Sequence, residues 1–312
     1  MGAVFRGGVI TGQGVGRTDT LTPIEMMPYF FLEDGLIFGD LRGFRSSQDN
    51  YGANVGLGYR HYVRKWDRIF GANFYYDYDN TSGQLFRQNG GGLETLGANW
   101  DMRLNTYFPV TQNTKELSVS DPFNIRYNAN NILFDQIRTF GVHLKGLDHE
   151  IAVPLPGRYM ERHNVKGAAG WYHFQQTGVK STWGWKGRLE GDLTSNVHLG
   201  LEVTNDNTFD TNVVLTAAIS YGGFKQPLGQ PRNQFDRMTA HVERFYNAVV
   251  QQVPFLEAGL VALDVDGTPL FVEHVASSDP YDRGNIAALR RVAPQYDPTA
   301  PLGTFENPFL TI

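Results

Sequence analysis

Between Tyr51 and Asp79 the chain alternates polar and apolar residues with period two, and no other feature narrows the choice of fold so far. From Tyr51 to Val63 the odd positions are Tyr51, Ala53, Val55, Leu57, Tyr59, His61 and Val63, whereas Asn50, Gly52, Asn54, Gly56, Gly58 and Arg60 hold the even ones. After Arg64 to Asp67 the pattern resumes, with Phe70, Ala72, Phe74, Tyr76 and Tyr78 on one side and Gly71, Asn73, Tyr75, Asp77 and Asp79 on the other. Successive side chains of a strand point to opposite faces, so each run is a long strand with one apolar face, and the two form an antiparallel hairpin. A second pair is expected behind it, with Leu96, Ala98, Trp100, Met102, Leu104 and Phe108 in phase through a turn near Trp100-Asp101.

Alternation alone does not say what the apolar face meets. In a soluble sandwich it packs on a second sheet, and in a membrane barrel it meets lipid. Strands of ten or more residues, polar positions often held by Gly or Asn, and aromatic residues near strand ends favour lipid. Lys186, Arg188, Glu190 and Asp192 share one phase of a later strand, joined by His198 and Glu202 on its neighbour. Against lipid such charge is costly, about 2–4 kcal/mol for Arg or Lys at mid-depth, so these residues are expected to face a lumen.

The runs Leu36-Ile-Phe-Gly-Asp-Leu-Arg, Asn54-Val-Gly-Leu-Gly-Tyr-Arg and Arg68-Ile-Phe-Gly-Ala-Asn-Phe-Tyr-Tyr-Asp-Tyr-Asp resemble the inverse autotransporter β-domain of the intimin and invasin family. The resemblance continues in Leu96-Gly-Ala-Asn-Trp, Asn105-Thr-Tyr-Phe-Pro, Glu150-Ile-Ala-Val-Pro-Leu-Pro and Ala169-Gly-Trp-Tyr-His-Phe, and covers roughly residues 3 to 250. It implies a twelve-stranded outer-membrane barrel with its N-terminus in the periplasm, which anchors and exports a passenger attached to its C-terminus. The partners it implies are outer-membrane lipid, the barrel-assembly machinery and periplasmic chaperones, with host or cell-surface polymers for the passenger. The insert between Thr111 and Gly141 matches nothing in the family.

Composition fits this reading and excludes others. Aromatic residues make up 13% of the chain, which has 35 Gly and no Cys. A net charge of −5 and scattered Lys and Arg argue against nucleic acid as a partner. No run reaches the roughly 18 apolar residues of a spanning helix, and the mean hydropathy of −0.34 would suggest a soluble protein. Barrels defeat that test, because half of each strand can be polar. Met1-Gly-Ala-Val-Phe-Arg lacks the features of a secretion signal, so the chain is expected to be a fragment or to have a mis-assigned start.

Taken in order, strands are expected at residues 3–11, Ile24–Leu32, Leu36–Phe44, the four above, Leu147–Val153, Gly167–Phe174, Thr182–Leu193, Val197–Thr204 and Val213–Tyr221, twelve in all. Pro28 sits awkwardly in the second, since proline lacks a ladder donor. Glu33-Asp-Gly, Arg64 to Asp67, Trp100-Asp101 and Thr194-Ser-Asn are short connections expected in the periplasm. Gly12 to Thr22, Asn80 to Asn89, Thr111 to Gly141 and Asn205 to Asn212 are longer and expected outside, and Pro154 to Asn164 breaks the pattern. Thr111 to Phe140 is expected to be an irregular loop.

After Gly222-Gly223 the pattern changes. Pro231 to Gln252 reads as a helix capped by Asn233, with Phe235, Met238, Val242, Phe245 and Val249 at helical spacing. In the family this segment passes back through the pore. From Phe255 apolar residues cluster in short runs, and Gly303 to Ile312 resembles the opening of a pectate-lyase-like right-handed β-helix. The fold class is therefore all-β, a twelve-stranded antiparallel transmembrane β-barrel with a helical linker in or near the pore and a short C-terminal extension. The divisions are 1–224 barrel, 225–254 linker with pore helix, and 255–312 the beginning of a passenger, truncated.

Catalytic, cofactor-binding and metal-binding residues are not expected. Asp77 and Asp79 share a strand face and could bind a metal, but lumen-wall carboxylates are the better reading. Asp264-Val-Asp-Gly lacks the later acidic ligand of a calcium loop and reads as a turn. Gly52, Gly56 and Gly58 lack the strand-to-helix context of a nucleotide fingerprint and would let bulky neighbours pack. The leading function is an outer-membrane translocator and anchor displaying a passenger for adhesion. The alternatives are a free-standing porin and the carrier of a polysaccharide-active β-helix enzyme.

Overall fold

The computed structural model describes residues 1–110, 113–128, 131–224, 228–229 and 234–270. The expected cap at Asn233 and the β-helix signature from Gly303 lie outside them. Twelve strands close into an antiparallel barrel: β1 (Gly2–Gly12), β2 (Leu21–Leu32), β3 (Gly35–Ser46), β4 (Tyr51–Val63), β5 (Arg68–Asp79), β6 (Phe86–Gly97), β7 (Asp101–Pro109), β11 (Lys145–Pro154), β12 (Lys166–Gln175), β13 (Thr182–Asp192), β14 (Val197–Asp206) and β15 (Asp210–Gly222). Three further strands, β8 (Thr114–Val119), β9 (Phe123–Asn128) and β10 (Asn131–His143), fall between β7 and β11, and β16 (Val250–Val261) follows the barrel. Closure is made by β1 on β15, from Val4 opposite Gly222 to Gly12 opposite Val214.

The two faces divide as the alternation requires. On β4, Asn54 and Arg60 are buried inside while Val55, Leu57 and Tyr59 are exposed outside. On β5, Tyr75, Asp77 and Asp79 point in and Phe70, Phe74 and Tyr76 point out. The inward glycines of β4 make room for rings: an added Cβ at Gly52, Gly56 or Gly58 would fall 2.2, 2.3 or 2.2 Å from Phe44, Tyr75 and Phe38 respectively. Bands of aromatic residues sit near the ends of the outer wall. Trp66 packs edge-on to Phe70 at 5.8 Å at one end, and Tyr51 stacks with Tyr78 at 6.2 Å at the other.

Three expectations about the wall are corrected. The register pairs Leu96 with Asp101 and Leu93 with Leu104, so phase reverses across the turn. Leu96 is fully buried inside, whereas Met102 and Phe108 face out. The stretch from Thr111 to Phe140 is not irregular, since it carries β8, β9 and β10. These strands escaped notice because β8 and β9 are only six residues each, too short to stand out beside the barrel strands, although Phe123, Ile125 and Tyr127 do alternate with Asn124, Arg126 and Asn128. The connection between β14 and β15 is three residues, Asn207–Phe209, shorter than the expected outer loop. The awkward Pro28 lies where pairing of β2 to β3 lapses, between Met26 opposite Leu41 and Tyr29 opposite Phe38.

The turns after β2, β4, β6, β11 and β13 lie at one end of the barrel, and the Leu155–Val165 connection there contains a short helix, Arg158–Arg162. The longest connection, between β7 and β11, lies at the opposite end.

The chain forms two compact units, Met1–Ser118 with Thr139–Pro254, and Val119–Arg138 with the chain from Phe255. In the second unit β9 pairs antiparallel with β10. Asp135 ties it together by accepting from Asn124 at 2.7 Å, Arg126 at 2.8 Å and the Gly259 backbone N–H at 2.7 Å. These bonds, the one from Asn124 foremost, favour the ionised form and hold the Asp135 carboxyl below its ordinary value. Asp264-Val-Asp-Gly is a turn, in which Gly267 N–H donates to the Asp264 carbonyl at 2.9 Å.

Two measurements check this architecture. Leu215, 53% exposed on the outer face, and Thr216, its inward neighbour, should respond differently to charge. Leu215→Arg is expected to destabilise the folded barrel by about 2–4 kcal/mol if it lies near mid-depth, with Thr216→Arg costing far less, in denaturant unfolding from detergent. Equal effects would mean the faces are misassigned. A carboxyl depressed on folding stabilises above its unfolded pKa and loses that contribution as pH falls through the folded value. Hydrogen exchange at the Gly259 amide should therefore be slow at pH 7 and accelerate relative to the barrel strands in acid below the usual carboxylate range.

Candidate functional site

The alternation that puts Val, Leu and Phe against lipid puts charge in the lumen, where it is paired within a strand or between strands one or two apart. Arg42 binds Asp40 at 2.7 Å, Arg60 binds Glu94 at 2.6 Å, Arg103 binds Glu150 at 3.1 Å and Lys186 binds Asp148 at 2.6 Å. Tyr75 donates to Asp40 at 2.5 Å and Tyr107 to Asp148 at 2.8 Å. The expected lumen residues are where the sequence places them: Lys186, Arg188, Glu190, Asp192, His198 and Glu202 all line the interior. Asp77 is a wall carboxylate, buried and bonded by Asn54 and Gln88 at 2.8 and 2.9 Å. Arg42, Arg60, Asp40 and Tyr75 were not singled out from sequence, although their inward phase marks them.

Into this lumen comes the segment that follows β15. It starts at the short-turn end, where Arg237 donates to the Gly97 carbonyl at 2.8 Å and to Asp101 at 2.5 Å. Its next residues meet the wall progressively further along. Asp101, Asn105 and Tyr107 of β7 contact Arg237, Glu243 and Phe245 in turn. On β5, Asp77 binds Arg244 and Asp79 accepts from the Ala248 N–H. On β4, Arg60 holds Met238 and Ala240 whereas Asn54 holds Tyr246. At the far end Leu144 N–H donates to the Val249 carbonyl at 2.9 Å. The segment thus crosses the barrel from the short-turn end to the opposite one.

It does not cross as a helix. A 3-10 turn covers Gln234–Thr239, and from Ala240 to Val249 the backbone is non-helical until β16 begins. The carbonyls that a helix would satisfy internally are taken by wall side chains instead: Thr239 by Arg6 at 2.6 Å, Met238 and Ala240 by Arg60 at 2.8 and 2.7 Å, Val242 by Arg42 at 2.8 Å, Glu243 by Asn105 at 3.0 Å and Tyr246 by Asn54 at 3.1 Å. Side chains then alternate. Val242, Arg244, Tyr246 and Ala248 face β3 to β6, and Arg244 makes a two-pronged pair with Asp77, both contacts 2.7 Å. Glu243 and Phe245 turn the other way, toward Arg188 at 3.3 Å and the rings of Tyr107 and Phe174, whereas His241 bonds Glu25 at 2.8 Å and stacks on Tyr246 at 6.1 Å. The helical spacing of Phe235, Met238, Val242, Phe245 and Val249 reflects two apolar clusters at successive depths, not one helix face.

The segment fills part of the lumen. A cavity of about 370 Å³ remains beside it, bounded by small residues of β1, β14 and β15, such as Gly8, Gly200, Thr216 and Ala218, and by the charges of β13.

A closed barrel with its own chain through the lumen can be set beside known proteins. Residues 17–126 match the model of the inverse autotransporter, beta-domain. The match takes in β2 to β8 and enters β9, so this beta-domain signature covers the strands that hold the crossing segment through Arg42, Arg60, Asp77 and Asn105. A structure described in work on the mechanism of in-meso crystallization of membrane proteins is 14% identical, covers 80% of this chain and all of its own, and superposes with a TM-score of 0.57. It shares the fold. The COG4313 outer membrane channel from Pseudomonas putida F1 is 10% identical, with a TM-score of 0.40 over 70% of this chain and 94% of its own. The KdgM porin in complex with disordered oligogalacturonate is 8% identical, with a TM-score of 0.38 over 71% of this chain and all of its own. No curated protein matches the sequence. The chain is an outer-membrane β-barrel.

If residues 234–249 occupy the lumen, deleting them from the refolded barrel should raise single-channel conductance in planar bilayers severalfold, and an unchanged conductance would contradict the crossing. Arg244→Ala strips Asp77 of its buried cation and should cost about 3–5 kcal/mol of stability in detergent unfolding. A loss under 1 kcal/mol would show that the pair is solvated.

Proposed function

We propose that the chain is an inverse autotransporter translocator, which anchors itself in the outer membrane and holds its C-terminal region at the cell surface for adhesion. The observation that carries this reading is the crossing itself. A chain exported through a pore must be accommodated without folding, and the lumen does this by offering donors from Arg6, Arg42, Arg60, Asn54 and Asn105 to consecutive stretches of backbone. Donors aimed at backbone carbonyls are indifferent to side-chain identity. The match of residues 17–126 to the inverse autotransporter beta-domain supports the same reading.

Direction follows from the loops. In bacterial barrels the short turns face the periplasm and the long loops the outside, and the crossing runs from the short-turn end toward the end that carries the long β7 to β11 connection. Residues from Phe255 onward are then at the cell surface, as the start of a passenger whose partners are host or surface polymers. Assembly would depend on periplasmic chaperones and the barrel-assembly machinery. A second reading, a porin, draws on the residual cavity of about 370 Å³ beside the segment. It predicts steady solute flux through the intact protein, which a sealed translocator lacks.

The chain has no Cys, so single substitutions report cleanly. Val265→Cys, at a position 97% exposed, should react with an impermeant maleimide on intact cells, and Ser195→Cys in the β13 to β14 turn should react only after the outer membrane is broken. The reverse pattern would place the C-terminal region in the periplasm and defeat the translocator reading.

A further inference from the structure

At the long-loop end of the outer wall, Arg45, Tyr51, Tyr78 and Arg87 lie on four adjacent strands, β3 to β6, with Tyr78 opposite Ala53 and so two residues along from Tyr51. The registers pair Arg45 with Tyr51, and Tyr78 with Arg87. The two tyrosine rings stack with centroids 6.2 Å apart and planes within 13°, and the Arg87 guanidinium lies 5.9 Å from the Tyr78 ring centre. Further down the same strands the wall is apolar, and a shallow groove runs between Ile37, Leu57, Tyr59 and Phe74 over Gly58 and Ala72.

Cations on this face need a reason. Charge on the lipid side of a barrel costs about 2–4 kcal/mol at mid-depth and falls to about 0–1 near the interface, so two arginines each one residue from a strand end mark the headgroup zone. Their partners within the protein are weak or incomplete. Arg45 pairs with Asp49 at 2.7 Å, but the two side chains are 70% and 79% exposed, and an ion pair that open contributes little. Arg87 Nε is shielded from solvent without a hydrogen-bond partner. Three interstrand steps of roughly 4.8 Å and a two-residue offset of roughly 6.8 Å along the strand put the Arg45 and Arg87 backbones on the order of 16 Å apart, with Tyr51 and Tyr78 between them. A disaccharide carrying a phosphate at each end has that footprint. Arginine bonds phosphate oxygens in two-pronged fashion, and the apolar faces of sugars lie well on aromatic rings.

We propose that this wall is a binding site for a bisphosphorylated disaccharide lipid of the outer leaflet, with its phosphates on Arg45 and Arg87, its sugars over Tyr51 and Tyr78, and an acyl chain running down toward the Leu57–Phe74 groove. The placement rests on the translocator reading, which turns the long-loop end outward. The binding chemistry can be measured in detergent, where orientation plays no part, so it fails or succeeds independently of the surface-labelling result.

The refolded barrel would be incubated with lipid A, with dephosphorylated lipid A or with phosphatidylglycerol, and bound lipid read by native mass spectrometry. Lipid A should be retained at about one per barrel. Arg45→Ala/Arg87→Ala should weaken that retention at least tenfold, while Arg45→Lys/Arg87→Lys, which keeps the charge without the two-pronged geometry, should recover only part of it. Heat-dependent gel mobility confirms that each variant is folded. The proposal is overturned if the alanine pair retains lipid A undiminished, if dephosphorylated lipid A binds as well, or if phosphatidylglycerol displaces lipid A at equal concentration.

Discussion

Hydrocarbon offers no hydrogen bonds, so every backbone N–H and C=O of a spanning chain must find its partner within the protein. A sheet meets that demand only by closing on itself, and here β1 closes on β15 through nine paired residues from Val4 to Gly12. All else follows from closure. Once the edges are gone, alternation divides each strand between lipid and lumen, and the lumen becomes the one place where Arg60, Asp77, Glu94 and Lys186 can be buried at tolerable cost.

The same demand governs the crossing segment, which has no sheet to join between Ala240 and Val249. Its carbonyls turn to the wall, and the wall answers with guanidinium and amide donors that are themselves neutralised by neighbours on the same wall, as Arg42 is by Asp40 and Arg60 by Glu94. Breaking one such contact leaves a buried charge or carbonyl without its partner, which is why the interior behaves as a connected network. Rings hosted by the β4 glycines narrow the lumen on the β3 to β6 side, and small residues on β1, β14 and β15 keep space on the other. The segment lies between these two surfaces, with charged and apolar residues alternating to suit both.

Much of the barrel was legible in the sequence because a strand's alternation is a local property. The faces of β4, β5, β13 and β15, the lumen placement of Lys186, Arg188 and Glu202, and the role of the β4 glycines all rest on neighbours two residues apart. The errors occurred where locality ends. Leu96 changed faces because a turn, not the strands, sets the phase relation across a hairpin. β8 to β10 were missed because β8 and β9, at six residues each, are shorter than any strand of the barrel, so their alternation is too brief to stand out.

What the sequence determined by itself was the set of amphipathic strands and the sorting of their side chains between two faces, since period two is local, while strand length, aromatic strand ends and charge in one phase favoured lipid over a second sheet. What only the tertiary structure decided was the conformation of the segment that returns through the lumen. Its apolar residues keep helical spacing, yet the donors that draw its backbone out of a helix belong to Arg42 and Arg60, 200 and 178 residues away from the carbonyls of Val242 and Met238. No local pattern can carry that information. Whether a backbone carbonyl bonds within its own turn or to a distant side chain depends on which groups the closed barrel brings against it.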